Sequence, residues 1–214
     1  MRSMRPTRAS GGPVADKYPN FAALAAAEPA SGYAVTIRDR GSAVAIAAPH
    51  GGGIEPGTSE VALAIAGKDL SYYLFEGRKP RGNFDLHLTS SNFDAPGCRA
   101  LLGAAERVVT VHGEGSVDEV AFLGGLDRPL VSALASALAA NGFAVGSHIG
   151  PGLRGSHARN ICNIGRAGAG VQLELGGGLR RRFLDPRSGT VADRAARLAR
   201  FAAAMRQVLC AVPR

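Results

Sequence analysis

The sequence predicts an α/β fold: a single domain built as an α/β/α sandwich around a mixed, mostly parallel sheet. Three observations carry this. Short apolar or alternating runs suited to strands recur between helix-like stretches, which implies a sheet covered on both faces. The length, 214 residues, suits one domain that buries roughly 70% of its unfolded surface without disulfide or metal support. Hydrophobic residues at 46% and charged residues at 20% exclude disordered, coiled-coil and collagen-like classes.

The elements follow in order. Residues 1–17 mix Arg, Pro, Ser and Gly without apolar periodicity and read as a flexible basic tail preceding a domain over 18–214. Arg2, Arg5 and Arg8 resemble the start of a signal peptide, but no apolar core follows them, so a cytoplasmic location is expected. No apolar run approaches the ~18 residues of a membrane span. A helix is expected over Phe21–Ala27, an alternating strand over Tyr33–Arg38 and a short buried strand over 43–48. A glycine-rich turn then leads into the apolar-periodic stretch 61–66, with Thr58 or Ser59 as the helix N-cap. Residues 71–75 and 84–89 read as strands joined by a basic Gly/Pro turn. Then come a helix over 95–105, strands at 108–112 and 120–123, and an alanine-rich helix over 129–140 stopped by Asn141-Gly142. A short strand at 143–145, a loop over 146–159, a strand over Val171–Leu175 and a long amphipathic helix over Val191–Leu209 complete the chain.

Charge narrows the partner. The formal balance is +8, from 25 basic and 17 acidic residues, which suits a polyanion. Aromatic residues are only 6% and Trp is absent, too few for the base-stacking platforms of nucleic-acid binding. Cys98, Cys162 and Cys210 cannot all pair and show no CxxC spacing, so reduced thiols are expected.

Polar residues interrupt apolar strand ends at three places. His50 leaves a buried strand, and Glu55 follows past Gly51-Gly52-Gly53, whose flexibility lets both side chains turn onto one point. His112 ends the strand Val108-Val109-Thr110-Val111. Two imidazoles and a carboxylate form a three-donor set with one open position, the ligand count of a catalytic zinc site. In Val171–Leu175, period-two alternation puts Gln172 and Glu174 on the face opposite the three apolar side chains. A carboxylate there is costly to bury without a partner, and a metal-activated water is one that would use it as a base.

Other readings compete. A histidine at a strand end more often serves structure than metal, and His87, His148 and His157 are read that way first. The glycine run also suggests a phosphate cradle, but it lacks the P-loop lysine and places Glu55 where phosphate would bind. Cys98 or Cys162 as a nucleophile has nothing in the sequence to orient it.

These residues, together with Leu86-His87-Leu88-Thr89-Ser90, Phe93-Asp94 and Asn160-Ile161-Cys162-Asn163, resemble the poly-γ-glutamate hydrolase family, known from phages and bacilli. That family is a compact relative of the zinc carboxypeptidases. The resemblance covers residues 18–209 and implies a carboxypeptidase-like sandwich holding one zinc ion per chain. By motif position, His50, Glu55 and His112 are the implied ligands and Glu174 the implied general base. The spacing HxxxxE departs from the HxxE of the carboxypeptidases and matches the smaller family. Arg159 with Asn160 resembles the Asn/Arg pair that polarises the scissile carbonyl and grips substrate carboxylates. Arg180, Arg181 and Arg182 are candidates to line the groove, and His87 to touch substrate. The implied activity is zinc-dependent hydrolysis of γ-glutamyl amide bonds in a polyanionic polymer. The competing expectations are a carboxypeptidase-like amidohydrolase of acyl-amino acids or cell-wall peptides, and a phage-derived basic binding protein without activity.

Overall fold

The computed structural model describes residues 15–147 and 150–211. Seven strands form one sheet: β1 (Tyr33–Arg38), β2 (Val44–Gly52), β3 (Ser71–Gly77), β4 (Arg107–Gly113), β5 (Val120–Gly125), β6 (Ala144–Gly146) and β7 (Val171–Leu175). Their order is β1-β3-β2-β4-β7-β5-β6. The central strands β3, β2, β4 and β7 run parallel, whereas β1 and β5 join antiparallel. The sheet is therefore mixed, as expected, and β2, β4 and β7 deliver their carboxyl ends to one edge. That edge is where ligands bind in open α/β sheets.

Helices cover both faces. On one face lie α2 (Thr58–Ala66), α4 (Arg128–Ala140), α5 (Gly177–Leu184) and α6 (Val191–Leu209). Their Val61, Ile65, Leu134, Leu138, Phe183, Phe201 and Met205 pack on Ile46, Val109, Val111 and Leu173 of the sheet. The opposite face is sealed by α1 (Phe21–Ala27) and α3 (Pro96–Ala104), with Leu24, Leu101 and Leu102 meeting Ala45, Ala47, Phe75 and Val108. Burying these branched and aromatic side chains, each worth about 1.5–3 kcal/mol, drives the sandwich together.

Several boundaries differ from expectation, each for a physical reason. Residues 84–89 are no strand: Asn83–Leu86 is a 3-10 turn entered from Gly82 at φ 71. Both edges of β3 are already taken, by β1 and β2, so this segment cannot pair beside the strand it follows. Its alternation still buries Leu86 and Leu88 on the face covered by α1 and α3. The N-cap of helix α2 is Gly57, in the left-handed region at φ 102, and neither Thr58 nor Ser59 caps it. Both lie inside the helix, and Thr58 Oγ1 donates to the Glu55 carbonyl at 2.9 Å. Helix α5 opens with Gly177 and Gly178, and only glycine fits at 178, because the Val117 and Asp118 carbonyls lie where a Cβ would sit. The loop over 146–159 contains a 3-10 turn at Pro151–Leu153. Residues 1–14 of the expected tail, and His148, lie outside the described residues; Asp16 and Lys17, at its end, are hydrogen-bonded into the domain.

Candidate metal centre

Strand β2 carries the key local irregularity. Ala48 pairs with Leu74 but Gly51 pairs with Glu76, so β2 holds one extra residue in a bulge. Pro49, which cannot donate to a ladder, sits in that bulge. Strict alternation would put His50 on the face of Ile46 and Ala48. The bulge instead turns it to the opposite face, where it meets Phe93, His87 and His112. His112 reaches that face by ordinary alternation, because Val109 and Val111 point to the other core.

Three donors now converge. His50 Nδ1 lies 3.1 Å from Glu55 Oε1 and 3.2 Å from His112 Nδ1. His112 Nδ1 is 3.9 Å from Glu55 Oε2, and one ligand atom from each residue falls within 4.8 Å of the others. The tautomer of His50 follows from its outer partner. Its Nε2 contacts the Leu88 carbonyl at 2.8 Å, and a carbonyl only accepts, so Nε2 carries the hydrogen. In the neutral ring Nδ1 then points a lone pair at the Glu55 carboxylate oxygen, and a proton or a metal cation between the two relieves that repulsion. Two imidazoles and a carboxylate are zinc donors, and an outer carbonyl fixing the ring is the usual support. The donor set fits a zinc ion.

Electrostatics agree. Burial disfavours charge on His50, but the Glu55 carboxylate outweighs it and raises the imidazole pKa. Burial and the neighbouring His50 push His112 down to about 3, keeping it neutral. Against the cost of burial, the contacts to His50 and His112 and the Gly113 N–H, which donates to Glu55 Oε2 at 2.7 Å, hold Glu55 at about 2. His87 stacks between Phe84, at 5.1 Å, and His50, at 4.1 Å between ring centroids, with Nε2 3.9 Å from Glu55 Oε1. Its Nδ1 meets Asp16 Oδ1 at 2.9 Å, while Asp16 Oδ2 accepts the Thr89 N–H.

Glu174 stands beside His112, its Cα partner across the parallel β4–β7 pair, so both side chains share one face. It is 3% exposed, and burial, with the Glu55 carboxylate nearby, pushes its pKa well up. A directed chain ends on it. The Cys162 N–H donates to Asn160 Oδ1 at 3.0 Å, Asn160 Nδ2 to Gln172 Oε1 at 2.6 Å, and Gln172 Nε2 to Glu174 Oε1 at 2.8 Å.

The remaining candidates separate. Asn160 is buried and joins Glu174 through Gln172. Arg159 is exposed next to it, and its guanidinium makes no hydrogen bond or ion pair among the described residues. Arg180 donates to three backbone carbonyls, whereas Arg181 is exposed beside a groove shared with Pro56, Leu184 and Asp185. Arg182 pairs with Glu119 at 3.3 Å. Cys98 and Cys162 are buried and their thiols are pushed up, Cys162 to about 12, so neither is a thiolate nucleophile; Cys210 is exposed at the end of α6. Sequence reasoning missed the support of the site. The Leu88 carbonyl leaves no mark in a sequence, Asp16 reads as tail, and only the shared face of Gln172 and Glu174 hinted at their bond.

The family model described as poly-gamma-glutamate hydrolase matches residues 18–205 of the chain. Among curated proteins of Bacillus subtilis (strain 168), UPF0714 protein YndL is 40% identical over 167 residues, 78% of this chain and 66% of YndL. The SPbeta prophage-derived UPF0714 protein YoqZ is 38% identical over 173 residues, 80% of this chain and 63% of YoqZ. The chain thus spans slightly under two thirds of the length of these two relatives. Among solved structures, a bacteriophage poly-gamma-glutamate hydrolase superposes with a TM-score of 0.84 at 30% identity, covering 91% of this chain and 96% of that one. A zinc-free apo form of YndL gives 0.83 at 35% identity, covering 92% and 98%. The match in sequence runs through the residues that build both the sheet and the convergent His50, Glu55 and His112, and the chain belongs to the poly-gamma-glutamate hydrolase family.

Proposed function

We propose that the chain is a zinc-dependent hydrolase of amide bonds, acting on the γ-glutamyl linkages of poly-γ-glutamate. The observation that carries this reading is the convergence of His50 Nδ1, His112 Nδ1 and the Glu55 carboxylate on one point. These three residues would hold one zinc ion, which supplies charge to polarise a carbonyl and to acidify water to a pKa of about 7.

The chain's own residues do the rest. Glu174 takes a proton at its carboxylate and returns it to the leaving amine, a transfer worth about 10²–10⁴-fold. Burial raises the proton affinity of this carboxyl, which favours its taking a proton. Gln172 engages Oε1, which leaves Oε2 for the proton. Asn160 serves by fixing the Gln172 amide. Arg159 and Arg181, both exposed, offer planar forks to the carboxylate that every residue of the polymer carries, and Arg159 steadies the developing oxyanion. His87, locked by Asp16, forms a wall of the site from which it contacts substrate.

Zinc analysis of the purified chain, coupled to digestion of poly-γ-glutamate with and without chelator, tests the proposal. About one zinc per chain and chelator-sensitive shortening of the polymer are expected. An intact polymer alongside cleaved acyl-amino acids would transfer the reading to a small-substrate amidohydrolase. Absence of both zinc and hydrolysis would leave a binding protein.

A further inference from the structure

Arg180 is a sequence candidate for lining the substrate groove, yet its guanidinium is occupied elsewhere. Nη1 donates to the Pro56 carbonyl at 2.8 Å, Nη2 to the Glu114 carbonyl at 2.9 Å and Nε to the Leu175 carbonyl at 3.2 Å. Three of its five N–H groups are therefore spent on backbone. The three acceptors belong to three separate segments, and each lies one or two residues past a site residue. Pro56 follows Glu55, Glu114 follows His112-Gly113, and Leu175 follows Glu174. The Leu175 carbonyl also accepts the Glu114 N–H at 3.0 Å, so the segments meet at one node.

The surroundings are shaped to this arginine. A Cβ on Gly113 would lie 2.7 Å from its Cζ, and one on Gly57 would lie 3.4 Å from its Cβ. Gly113 also presents the N–H that holds Glu55 Oε2. The guanidinium is half-buried, and burial lowers its pKa while the carboxylates of Glu55, Glu114 and Glu174 oppose that loss. It remains a cation next to a cluster of acids.

We infer that Arg180 is a positioning residue: it clasps the ends of β2, β4 and β7 and so fixes Glu55, His112 and Glu174 relative to one another. It acts through those residues and not on substrate. Lysine cannot replace it, because a point ammonium lacks the fixed fork that spans three carbonyls. The inference rests on the hydrolase reading for its kinetic readout only.

The experiment compares Arg180→Met, Arg180→Lys and Gly113→Ala with the parent zinc-loaded chain. In Arg180→Met, kcat on poly-γ-glutamate is expected to fall on the order of 10–100-fold, as for a misplacement near 1 Å, with KM within about two-fold. Zinc should be lost faster to a chelator, and the Gly113 amide should exchange faster with deuterium. Arg180→Lys should resemble Arg180→Met. Gly113→Ala should reproduce the loss but add little in an Arg180→Ala background, where the Cβ no longer meets the guanidinium. If Arg180→Met is recovered only unfolded, Arg180→Lys and the Gly113 cycle decide. A raised KM with unchanged kcat, zinc retention and amide exchange would overturn the clasp and return Arg180 to substrate. If the parent chain holds no zinc, the hydrolase proposal fails while Gly113 exchange still tests the clasp.

Discussion

At the scale of single residues, Glu174 has the most exposed consequences. Its buried carboxyl keeps a proton to a higher pH than the ordinary value near 4.5. Between that value and its raised folded pKa the folded chain binds a proton that the unfolded chain has released. Stability of the zinc-free protein must therefore fall as pH rises through this window. Glu174→Gln removes the titration while its amide oxygen can still accept from Gln172. Thermal unfolding in chelator should show the variant more stable than the parent at pH 8 and the two alike near pH 4. The same variant should retain zinc and lose about 10²–10⁴-fold in turnover; full turnover would remove Glu174 from the chemistry. Glu55 behaves oppositely. Its carboxyl, held at about 2, contributes stability above its ordinary pKa that disappears as pH drops toward 2.

At the scale of elements, strand ends and helix ends govern. Thr190 and Asp193 form a reciprocal capping box at the start of α6, with Thr190 Oγ1 accepting the Asp193 N–H at 3.1 Å. Thr190→Ala should cost about 1 kcal/mol in denaturant unfolding and leave activity at the distant site unchanged. Arg206 ties α6 to α2 by donating to the Ile65 and Ala66 carbonyls at the end of α2. The bulge in β2 bears on the site itself. Deleting Pro49 removes the extra residue, so His50 then follows Ala48 directly and keeps the site face by plain alternation; zinc, read by elemental analysis, should still bind. Much of this architecture was legible beforehand. Phe21–Ala27, Tyr33–Arg38, Val171–Leu175 and Val191–Leu209 fall where periodicity placed them, and β7 keeps its alternation although buried on both faces, because its apolar side chains fill one core while Gln172 and Glu174 hydrogen-bond on the other side. Residues 84–89 were misread because alternation reports burial of Leu86 and Leu88, not the availability of a strand partner. The convergence of His50, Glu55 and His112 was visible as residue types at strand ends. The Arg180 node and the Asp16–His87 contact were not, since they join segments 66 to 124 residues apart through backbone carbonyls, or 71 apart through side chains.

At the scale of the whole molecule, charge and metal act together. A net charge of +8 draws a polyanion by long-range attraction, which salt screens. The specificity constant for poly-γ-glutamate should fall as ionic strength rises from 0.01 to about 0.15 M, where the Debye length shortens to about 8 Å. A chain with no such dependence does not use its surface charge to collect substrate. Zinc bound to the folded state alone should raise the unfolding temperature with metal concentration, and chelator should lower it. No helix among the described residues is long and apolar enough to cross a membrane. The sheet also separates two ends of the molecule. Cys210 lies by Val44 at the amino end of β2, whereas His50 is six residues further along, about 20 Å at the usual strand rise. Since Cys98 and Cys162 are sealed inside, maleimide chemistry on the native chain should attach a dye or a solid support at Cys210 alone. The protein thus comes with its own handle for immobilisation, placed so that a tethered molecule keeps the end carrying His50, Glu55 and His112 turned away from the support.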